Sequence, residues 1–362
     1  MRQTLYGIIM LAIPAAFAVL LLVGYLSYRK ITYPGYSCGS FALMDDQIGW
    51  VLKPGADSCI GGRDPFSSGP PLFESKVYTD DNGFRSAQPG GALRPGSVMA
   101  VGDSWTFGFG VSYEQSYPAQ LEQLSGHATT IVASPGYSTA QSLLLAERWL
   151  DKIQPAAIVF LERGSWVRAA CRGNSRPTQI LKPCYWQSPS AAQADLVWPP
   201  EGHVRRMASL GILPGGILGA GETGWSYFLL SRPYALAHQS LVRFGLASGF
   251  SDDFQAEGVD RQAIKRATIR QAIRLADMAQ VPLLLIDSLE IYTSVLAELP
   301  PHQTARIHRI GNEVWYSEVI ARTTGMAPAD FEVPHDGHFG PGMNRLVAEL
   351  IDRQLRDLNV IR

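Results

Sequence analysis

The stretch VMAVGDSWTFGFGV, residues 98–111, decides the fold of this chain. It opens with a run of small apolar residues, Val98–Val101, which is typical of a strand buried on both faces of a parallel sheet. Gly102, Asp103 and Ser104 follow that run directly. Open α/β sheets carry their reactive groups at the carboxyl ends of the strands, so the position of Ser104 alone makes it a candidate nucleophile.

Predicted strands and helices alternate from residue 96 onward, which is the pattern of parallel βαβ units. Apolar runs predict strands at residues 97–102, 129–134, 156–162 and 281–287. Amphipathic segments predict helices between and after them, at residues 117–124, 140–153, 260–280, 306–322 and 342–358. We therefore expect an α/β fold with a doubly wound, flavodoxin-like parallel sheet of about five strands.

An uncharged segment from Thr4 to Tyr28 precedes this region and predicts a transmembrane helix. At about 1.5 Å per residue it is long enough to cross a hydrocarbon core of about 30 Å. The alternative is a signal peptide cleaved at the small residues Ala16–Ala18, but cleavage there would leave VLLLVGYL as an exposed apolar amino terminus. We therefore expect an anchor at 1–30, an extracytoplasmic lead-in at 31–95 and a catalytic domain at 96–362 with a helical insertion at 165–258.

The net charge of −1 over 362 residues is nearly balanced, which argues against a nucleic-acid partner. The four cysteines can form two local disulfides, Cys38 with Cys59 and Cys171 with Cys184, although four unrelated buried thiols are the alternative. Zinc is disfavoured because neither a CxxC pattern nor a pair of histidines accompanies them. Disulfides fit an oxidising compartment, so we expect a single-pass inner-membrane protein with its catalytic domain on the periplasmic side.

A Gly/Pro-rich segment near the carboxyl end, EVPHDGHFGPGMNRLVAEL, contains Asp336 and His338 just before the last predicted helix. These residues are far from Ser104 in sequence, but the carboxyl ends of parallel strands can bring all three together. A serine hydroxyl is a poor nucleophile until an imidazole takes its proton, and a carboxylate then holds the tautomer and charge of that imidazole. The three residues therefore form a candidate catalytic set that needs no metal and no organic cofactor. His335 is an alternative base.

The motifs resemble those of the SGNH (GDSL-like) hydrolases, and within them the membrane-anchored branch similar to alginate and other polysaccharide O-acetyltransferases. The resemblance rests on DDQIGWVLKPGA (from Asp45), NGFRS, GDSWTFGFGV, SPGYSTAQ and the DGH loop, in that order. It implies that Ser104 is the nucleophile, His338 the general base and Asp336 the residue that orients it. It also implies an oxyanion hole made by the backbone N–H groups of Ser104 and Gly136.

The third block of the chain departs from the family pattern. The family places an Asn after the third strand to help hold the oxyanion, whereas this chain reads VFLERGSWVRAAC. Ser165 is our preferred replacement donor because its hydroxyl is closer in size to the missing amide, and Arg163 is the alternative. Tyr137 and Trp166, which follow the second and third blocks, are the candidate substrate-binding aromatic residues.

The leading hypothesis is a membrane-tethered serine esterase or O-acyltransferase that acts on O-acyl groups of a cell-envelope glycan. The substrate is then a glycan or an acylated small molecule, and the family resemblance adds a membrane acyltransferase or export protein as a candidate partner. The alternative is a glycan-binding or scaffold protein that keeps the fold with weak catalysis. The missing Asn favours this alternative, and the presence of Ser104, Asp336 and His338 opposes it.

Overall fold

The computed structural model describes residues 17–21, 35–62, 70–162, 182–186, 193–198, 260–334 and 336–361. Residues 17–21 are helical. No helix among the described residues is both long and apolar enough to cross a membrane. Most of the predicted span from Thr4 to Tyr28 lies outside the described residues.

In the described residues, six strands precede the stretch that decides the fold. They are β1 (Gly35–Ser37), β2 (Ala42–Asp45), β3 (Gly49–Leu52), β4 (Asp57–Gly62), β5 (Phe73–Thr79) and β6 (Arg85–Ser86). Strands β2 and β3 form a hairpin, and the other four form an antiparallel sheet in the order β1-β4-β5-β6. A disulfide joins Cys38, just after β1, to Cys59 in β4, which confirms one predicted pair. Cys184 is also disulfide-bonded, but Cys171 lies outside the described residues.

The part of the chain from residue 98 onward that the structure describes contains seven more strands, and five of them form the central sheet. They are β7 (Val98–Gly102), β8 (Thr129–Ala133), β9 (Ala157–Leu161), β10 (Cys184–Trp186), β11 (Asp195–Val197), β12 (Leu283–Ile286) and β13 (Ile307–Ile310). The central sheet has the order β13-β12-β9-β7-β8, and all of its pairs are parallel. This is the doubly wound order in which the first strand of the sheet lies between the second and the third, and it confirms the predicted α/β class.

Helices cover both faces of the central sheet. From residue 98 onward, the α-helices of the described residues are α1 (Ser104–Phe107), α2 (Tyr117–Ser125), α3 (Thr139–Ile153), α4 (Arg261–Ala279), α5 (Thr293–Glu298), α6 (Pro301–Thr304), α7 (Asn312–Val314), α8 (Pro328–Phe331) and α9 (Pro341–Asp357). A π-helical turn, Trp315–Ile320, continues α7. Met99 and Val101 of β7 pack with α3 and α4, whereas Val98 and Ala100 pack with α2 and α9. Because successive side chains of a strand point to opposite faces, one strand contributes to both hydrophobic layers.

The predicted long helix over 306–322 is wrong in its first part. Residues Ile307–Ile310 form the edge strand β13, and helical structure begins only at Asn312. His308 and Arg309 made this short strand read as part of an amphipathic helix. The Arg309 side chain instead pairs with the buried Asp287, 3.3 Å away, at the end of the neighbouring strand β12.

The predicted insertion at 165–258 is described only in part. Its described residues include the strands β10 and β11, which form an antiparallel hairpin rather than helix. Tyr185 of this hairpin packs with Ala140 of α3 and Ile264 of α4 in a small buried cluster. The hairpin therefore covers the amino-terminal ends of two helices that lie beside the central sheet.

Candidate active site

Ser104 lies on the turn between the first strand of the central sheet and the helix that follows it. Strand β7 ends at Gly102 and helix α1 begins at Ser104. The Asp103 carboxylate accepts a hydrogen bond from the Trp105 backbone N–H at 3.1 Å, so Asp103 caps this helix. A side chain at position 102 would collide with Thr106, so the sharp turn requires glycine there.

Asp336 and His338 lie on a tight loop that closes on itself just before α9. The Val333 N–H donates to the His338 carbonyl at 2.8 Å, and the Gly340 N–H donates to the Phe331 carbonyl at 2.9 Å. Gly337, between the two candidate residues, has a left-handed backbone with φ of 85°. The loop therefore presents Asp336 and His338 on the same side, as glycine at a positive φ permits.

The structure brings the three sequence-predicted residues into one hydrogen-bonded chain. His338 Nε2 lies 2.7 Å from Ser104 Oγ, and His338 Nδ1 is hydrogen-bonded to Asp336 Oδ1. Ser104 is 7% exposed, while the side chains of His338 and Asp336 are 20% and 26% exposed. A substrate can thus approach from the solvent side, while the serine lies at the bottom of the site. The contacts are those required for an imidazole that takes a proton from the serine and is oriented by a carboxylate.

Two aromatic rings flank the imidazole of His338. The ring centroids of Trp105 and Phe109 lie 4.8 Å and 4.7 Å from that of His338, and both rings are tilted by about 35° to it. Phe339, the next residue along the chain, packs edge-on against Trp105 at 4.5 Å. The imidazole orientation is therefore fixed by packing as well as by its hydrogen bonds. Phe107, in contrast, is fully buried in the core.

Gly136 lies in a turn just after strand β8. The Tyr137 N–H donates to the Ser134 carbonyl at 3.2 Å, and Gly136 has φ of 79°. Pro135 before it and a glycine at positive φ are typical of a type II turn. The Lys182 ammonium donates to the Gly136 carbonyl at 2.6 Å and lies 5.1 Å from the ring centroid of Trp50. The role of the Gly136 N–H as an oxyanion donor stays a prediction.

The structure does not support the prediction that Tyr137 contacts substrate. Its side chain is fully buried and packs edge-on against Trp50, with ring centroids 5.4 Å apart. The Tyr137 hydroxyl donates to the Trp50 carbonyl at 2.6 Å. Burial raises the pKa of Tyr137 well above its ordinary value, so the hydroxyl stays protonated. Tyr137 fastens the β2–β3 hairpin to the Gly136 turn and offers no surface to a ligand.

Glu162 is the last described residue of the third block. It follows β9 directly and is almost completely buried. Its Oε2 accepts hydrogen bonds from Thr139 Oγ1 at 2.8 Å and from the Tyr292 hydroxyl at 3.5 Å. Glu162 therefore ties the third block to the start of α3, just after the Gly136 turn. The candidate residues Arg163, Ser165 and Trp166, and the alternative base His335, lie outside the described residues.

Sequence reasoning missed two buried cations near the site. Arg85 is fully buried, and this burial lowers its pKa to about 10; Lys182 is only 5% exposed. Arg85 belongs to the NGFRS motif, which the sequence analysis used only as part of a resemblance. In the sequence, the available signal for a structural role was a charged residue next to the aromatic Phe84. No comparable signal accompanies Lys182, whose neighbours in sequence include both polar and apolar residues.

The group of potential metal ligands that lie together in the described part of the chain is Cys38, Cys59 and Glu74. Both sulfurs of this group are taken up by the disulfide. A thiolate is the form of cysteine that binds a metal, so this cluster offers no site.

Comparison with known proteins finds solved structures of low similarity, among them the following two. The first is an acetyl xylan esterase from the rumen bacterium Butyrivibrio proteoclasticus, with 11% identity, a TM-score of 0.36, and coverage of 76% of this chain and 67% of the other. The second is a carbohydrate esterase whose active site displays divergent catalytic and non-catalytic binding functions. It has 12% identity, a TM-score of 0.34, and coverage of 90% and 98%. No protein-family model and no curated protein matches the chain. Similarity at this level carries no argument about the fold or the reaction.

Proposed function

We propose that this protein is a serine esterase or O-acyltransferase of the SGNH type, and that it acts on O-acyl groups of a cell-envelope glycan through a covalent acyl-enzyme. The observation that supports the reaction is the hydrogen-bonded chain from Ser104 through His338 to Asp336. This chain lies at the carboxyl end of the first strand of a doubly wound sheet, beside the point where the strand order reverses. That is the usual location of ligand sites in such folds.

In the first half of the reaction, Ser104 Oγ attacks the acyl carbonyl carbon while His338 Nε2 takes the hydroxyl proton. The negative charge on the tetrahedral oxygen is held by the Ser104 and Gly136 N–H groups and by a donor from the third block, Ser165 or Arg163. The bond to the leaving alcohol then breaks, and the imidazolium returns its proton to that oxygen. Asp336 holds the Nδ1 proton of His338 throughout, which fixes the tautomer that the base requires.

In the second half, a hydroxyl group resolves the acyl-enzyme. His338 takes a proton from the incoming oxygen, that oxygen attacks the acyl carbonyl, and Ser104 leaves with the proton restored. Hydrolysis and transfer differ only in whether water or a sugar hydroxyl supplies this oxygen. The partial exposure of His338 and Asp336 leaves room for either acceptor at the mouth of the site.

The cellular setting is part of the same proposal. The apolar segment from Thr4 to Tyr28 favours a membrane anchor. In its described part, Phe17, Val19, Leu20 and Leu21 each expose more than half of their surface. The Cys38–Cys59 disulfide favours an oxidising compartment. The glycan substrate and a membrane acyltransferase or export partner are proposed from the motif resemblance.

The decisive experiment treats the full-length protein in detergent with a serine-reactive fluorophosphonate and with a chromogenic acetyl ester. We expect labelling at Ser104 and ester turnover, both abolished by Ser104→Ala. A matched control is Ser112→Ala, which changes a half-buried serine on the next loop and should leave both signals unchanged. His338→Ala should be nearly as damaging as Ser104→Ala, because nucleophile and base act as one unit.

The same experiment separates the proposal from the binding or scaffold alternative. A wild-type protein that binds acetylated glycan but neither labels at Ser104 nor turns over ester would favour the alternative. An active His338→Ala variant together with an inactive His335→Ala variant would reassign the base to His335.

A further inference from the structure

A buried arginine lies beneath the loop that follows the candidate nucleophile. Arg85, in strand β6, is fully buried, and its guanidinium donates to main-chain carbonyls from two segments. Nη1 donates to the carbonyls of Phe107 and Gly108, the latter at 2.5 Å, and Nη2 donates to the Val111 carbonyl at 2.6 Å. A longer contact of 3.4 Å joins Nη2 to the Lys76 carbonyl in strand β5.

Three of those four carbonyls belong to the loop 107–111, which connects directly to the site. The Phe109 N–H donates back to the Ser104 carbonyl at 2.9 Å. The Phe109 ring lies 4.7 Å from the imidazole of His338. The position of this loop therefore affects both the helix that begins at Ser104 and one of the two aromatic rings that flank His338.

The contacts of Arg85 are unusual for a buried cation. Its partners in the described part of the chain are neutral carbonyls and the Phe107 ring, 4.6 Å from the guanidinium carbon, and the field of Glu114 favours its charged form. Burying a charge is costly unless it is hydrogen-bonded, and a guanidinium can bond several acceptors at once from one rigid plane. A lysine ammonium cannot reproduce that fork.

We propose that Arg85 is a positioning residue for the reaction proposed above: by binding the loop 107–111 it holds Ser104 and Phe109 in the geometry that His338 requires. The inference rests on the proposed function, because it assigns Arg85 a role in the rate of attack by Ser104. A purely structural arginine would affect the free energy of unfolding and the yield of folded protein. It would leave the reactivity of Ser104 unchanged in the molecules that are folded.

The test measures Arg85→Lys in the full-length protein, at a temperature well below its unfolding midpoint. We expect the rate constant for fluorophosphonate labelling of Ser104, and kcat for the acetyl ester, to fall by about 10- to 100-fold with little change in KM, because misplacement of reacting groups by about 1 Å costs that much. The matched control is Arg94→Lys. Arg94 is half-buried and binds Glu122 and the Thr129 carbonyl, so the same replacement should lower stability without lowering the labelling rate.

A double-mutant cycle with Phe109→Leu tests whether Arg85 acts through the loop. If both residues act on His338 by one route, the labelling rate of the double variant should be only slightly lower than that of the slower single variant. Full additivity, or unchanged labelling in a folded Arg85→Lys variant, overturns the inference. If Arg85→Lys yields no folded protein, Gly108→Ala decides, because its added methyl group would approach the Arg85 guanidinium within 2.8 Å: a wild-type labelling rate overturns the inference and a tenfold loss supports it.

The outcomes also separate this inference from the proposed function. A wild-type protein that labels at Ser104, with an equally reactive Arg85→Lys variant, leaves the proposed function intact and removes only the role of Arg85. A wild-type protein that does not label at Ser104 overturns both, since no nucleophile is then present to be positioned.

Discussion

Two glycines in the loop after Ser104 allow that loop to approach its neighbours closely. Gly108 and Gly110 both have left-handed backbones, with φ of 78° and 83°. A methyl group on Gly108 would approach Ser116 within 2.5 Å and the Arg85 guanidinium within 2.8 Å. A methyl group on Gly110 would approach Val333 within 2.7 Å. The TFGFGV motif thus allows the nucleophile loop to meet Arg85 on one side and the histidine loop on the other.

We predict that Gly110→Ala lowers ester turnover by about tenfold or more. The added methyl group must displace Val333, whose N–H donates to the His338 carbonyl, so the imidazole should move relative to Ser104. The matched control is Gly126→Ala at the end of α2, where φ is 69° and no atom lies within 4 Å of the added methyl group. Both variants should lose about 1–3 kcal/mol of stability from backbone strain, but only Gly110→Ala should lose activity. Equal turnover of the two variants, measured with the acetyl ester, would contradict this prediction.

The third oxyanion donor stays a prediction at the residue scale. The buried carboxylate of Glu162 accepts hydrogen bonds from Thr139 and Tyr292 and offers no donor when ionised, so we expect the donor to come from residues beyond it. We expect Ser165→Ala to slow acyl-enzyme formation by an order of magnitude or more, and Ser165→Asn to preserve or raise the rate. Pre-steady-state kinetics with the acetyl ester measure this step. A loss in Arg163→Ala instead would assign the role to the arginine, and no loss in either variant would mean that backbone N–H groups suffice.

The catalytic set could be chosen from sequence because few residue types perform this chemistry and each stood in a Gly-rich motif. The candidate substrate-binding residue Tyr137 shows the limit of that reasoning. Position after the second block indicated an exposed aromatic, but the side chain is held inward by Trp50, which is 87 residues away along the chain. Arg85 was missed for the same reason, because its partners Phe107, Gly108 and Val111 lie 22 to 26 residues later.

At the scale of elements, strand prediction succeeded where burial is complete. Strands β7, β8, β9 and β12 are buried along their whole length and appear in the sequence as continuous apolar runs. The edge strand β13 is only partly buried and contains His308 and Arg309, so its pattern matched a helix. Pairing with β12 decided its conformation, and such a long-range contact is not readable from local periodicity.

The hairpin β2–β3 is attached to helix α3 by an ion pair that predicts a dependence on pH. Burial alone would raise the pKa of Asp45, but hydrogen bonds from Arg148 and from the Ile48 and Gln47 N–H groups lower it below its ordinary value. A carboxyl whose pKa is lower in the folded state adds stability above the unfolded-state pKa, and that stability is lost as the pH falls through the folded-state value. Asp45→Asn should therefore cost up to about 1 kcal/mol at pH 7 and less at pH 3.

Urea unfolding at the two pH values measures this difference. Asp57→Asn, at an exposed carboxylate that begins β4, is the matched control and should show a smaller dependence on pH. An equal loss of stability at pH 7 and pH 3 in Asp45→Asn would show that the ionised form of Asp45 contributes nothing.

The lead-in sheet offers a second test at this scale. The Cys38–Cys59 bond closes a loop with a sequence separation of 21, and a loop of that size predicts about 3 kcal/mol of stabilisation. Reduction, or the variant Cys38→Ser/Cys59→Ser, should lower the unfolding midpoint while Ser104 still labels at 25 °C. Mass spectrometry of unreduced peptides also tests the second predicted pair, Cys171 with Cys184. Any other partner for Cys184 would contradict that pairing.

On the scale of the whole molecule, the lead-in is part of the site's support rather than a simple spacer. Trp50 Nε1 donates to Ser134 Oγ at 3.2 Å, and Gln141 Nε2 donates to the Ile48 carbonyl at 2.7 Å. The segment from Asp45 therefore packs on the Gly136 turn, while Arg85 of the same lead-in holds the loop after Ser104. Residues before the catalytic stretch thus contact two of the loops that surround the nucleophile.

This arrangement separates catalysis from the predicted membrane anchor, and the separation can be measured. Because the described contacts to the site begin at Phe41, whose ring stacks on that of Phe107, removal of residues 1–30 should leave the labelling rate of Ser104 unchanged. The full-length protein should remain with the membrane fraction in alkaline carbonate, since about 20 apolar residues insert stably into the hydrocarbon core. The shortened protein should move to the soluble fraction. Recovery of the full-length gene product in the soluble fraction would instead indicate a signal peptide, as would an amino terminus near Ala18 found by mass spectrometry. The reaction would then be carried out by a released enzyme.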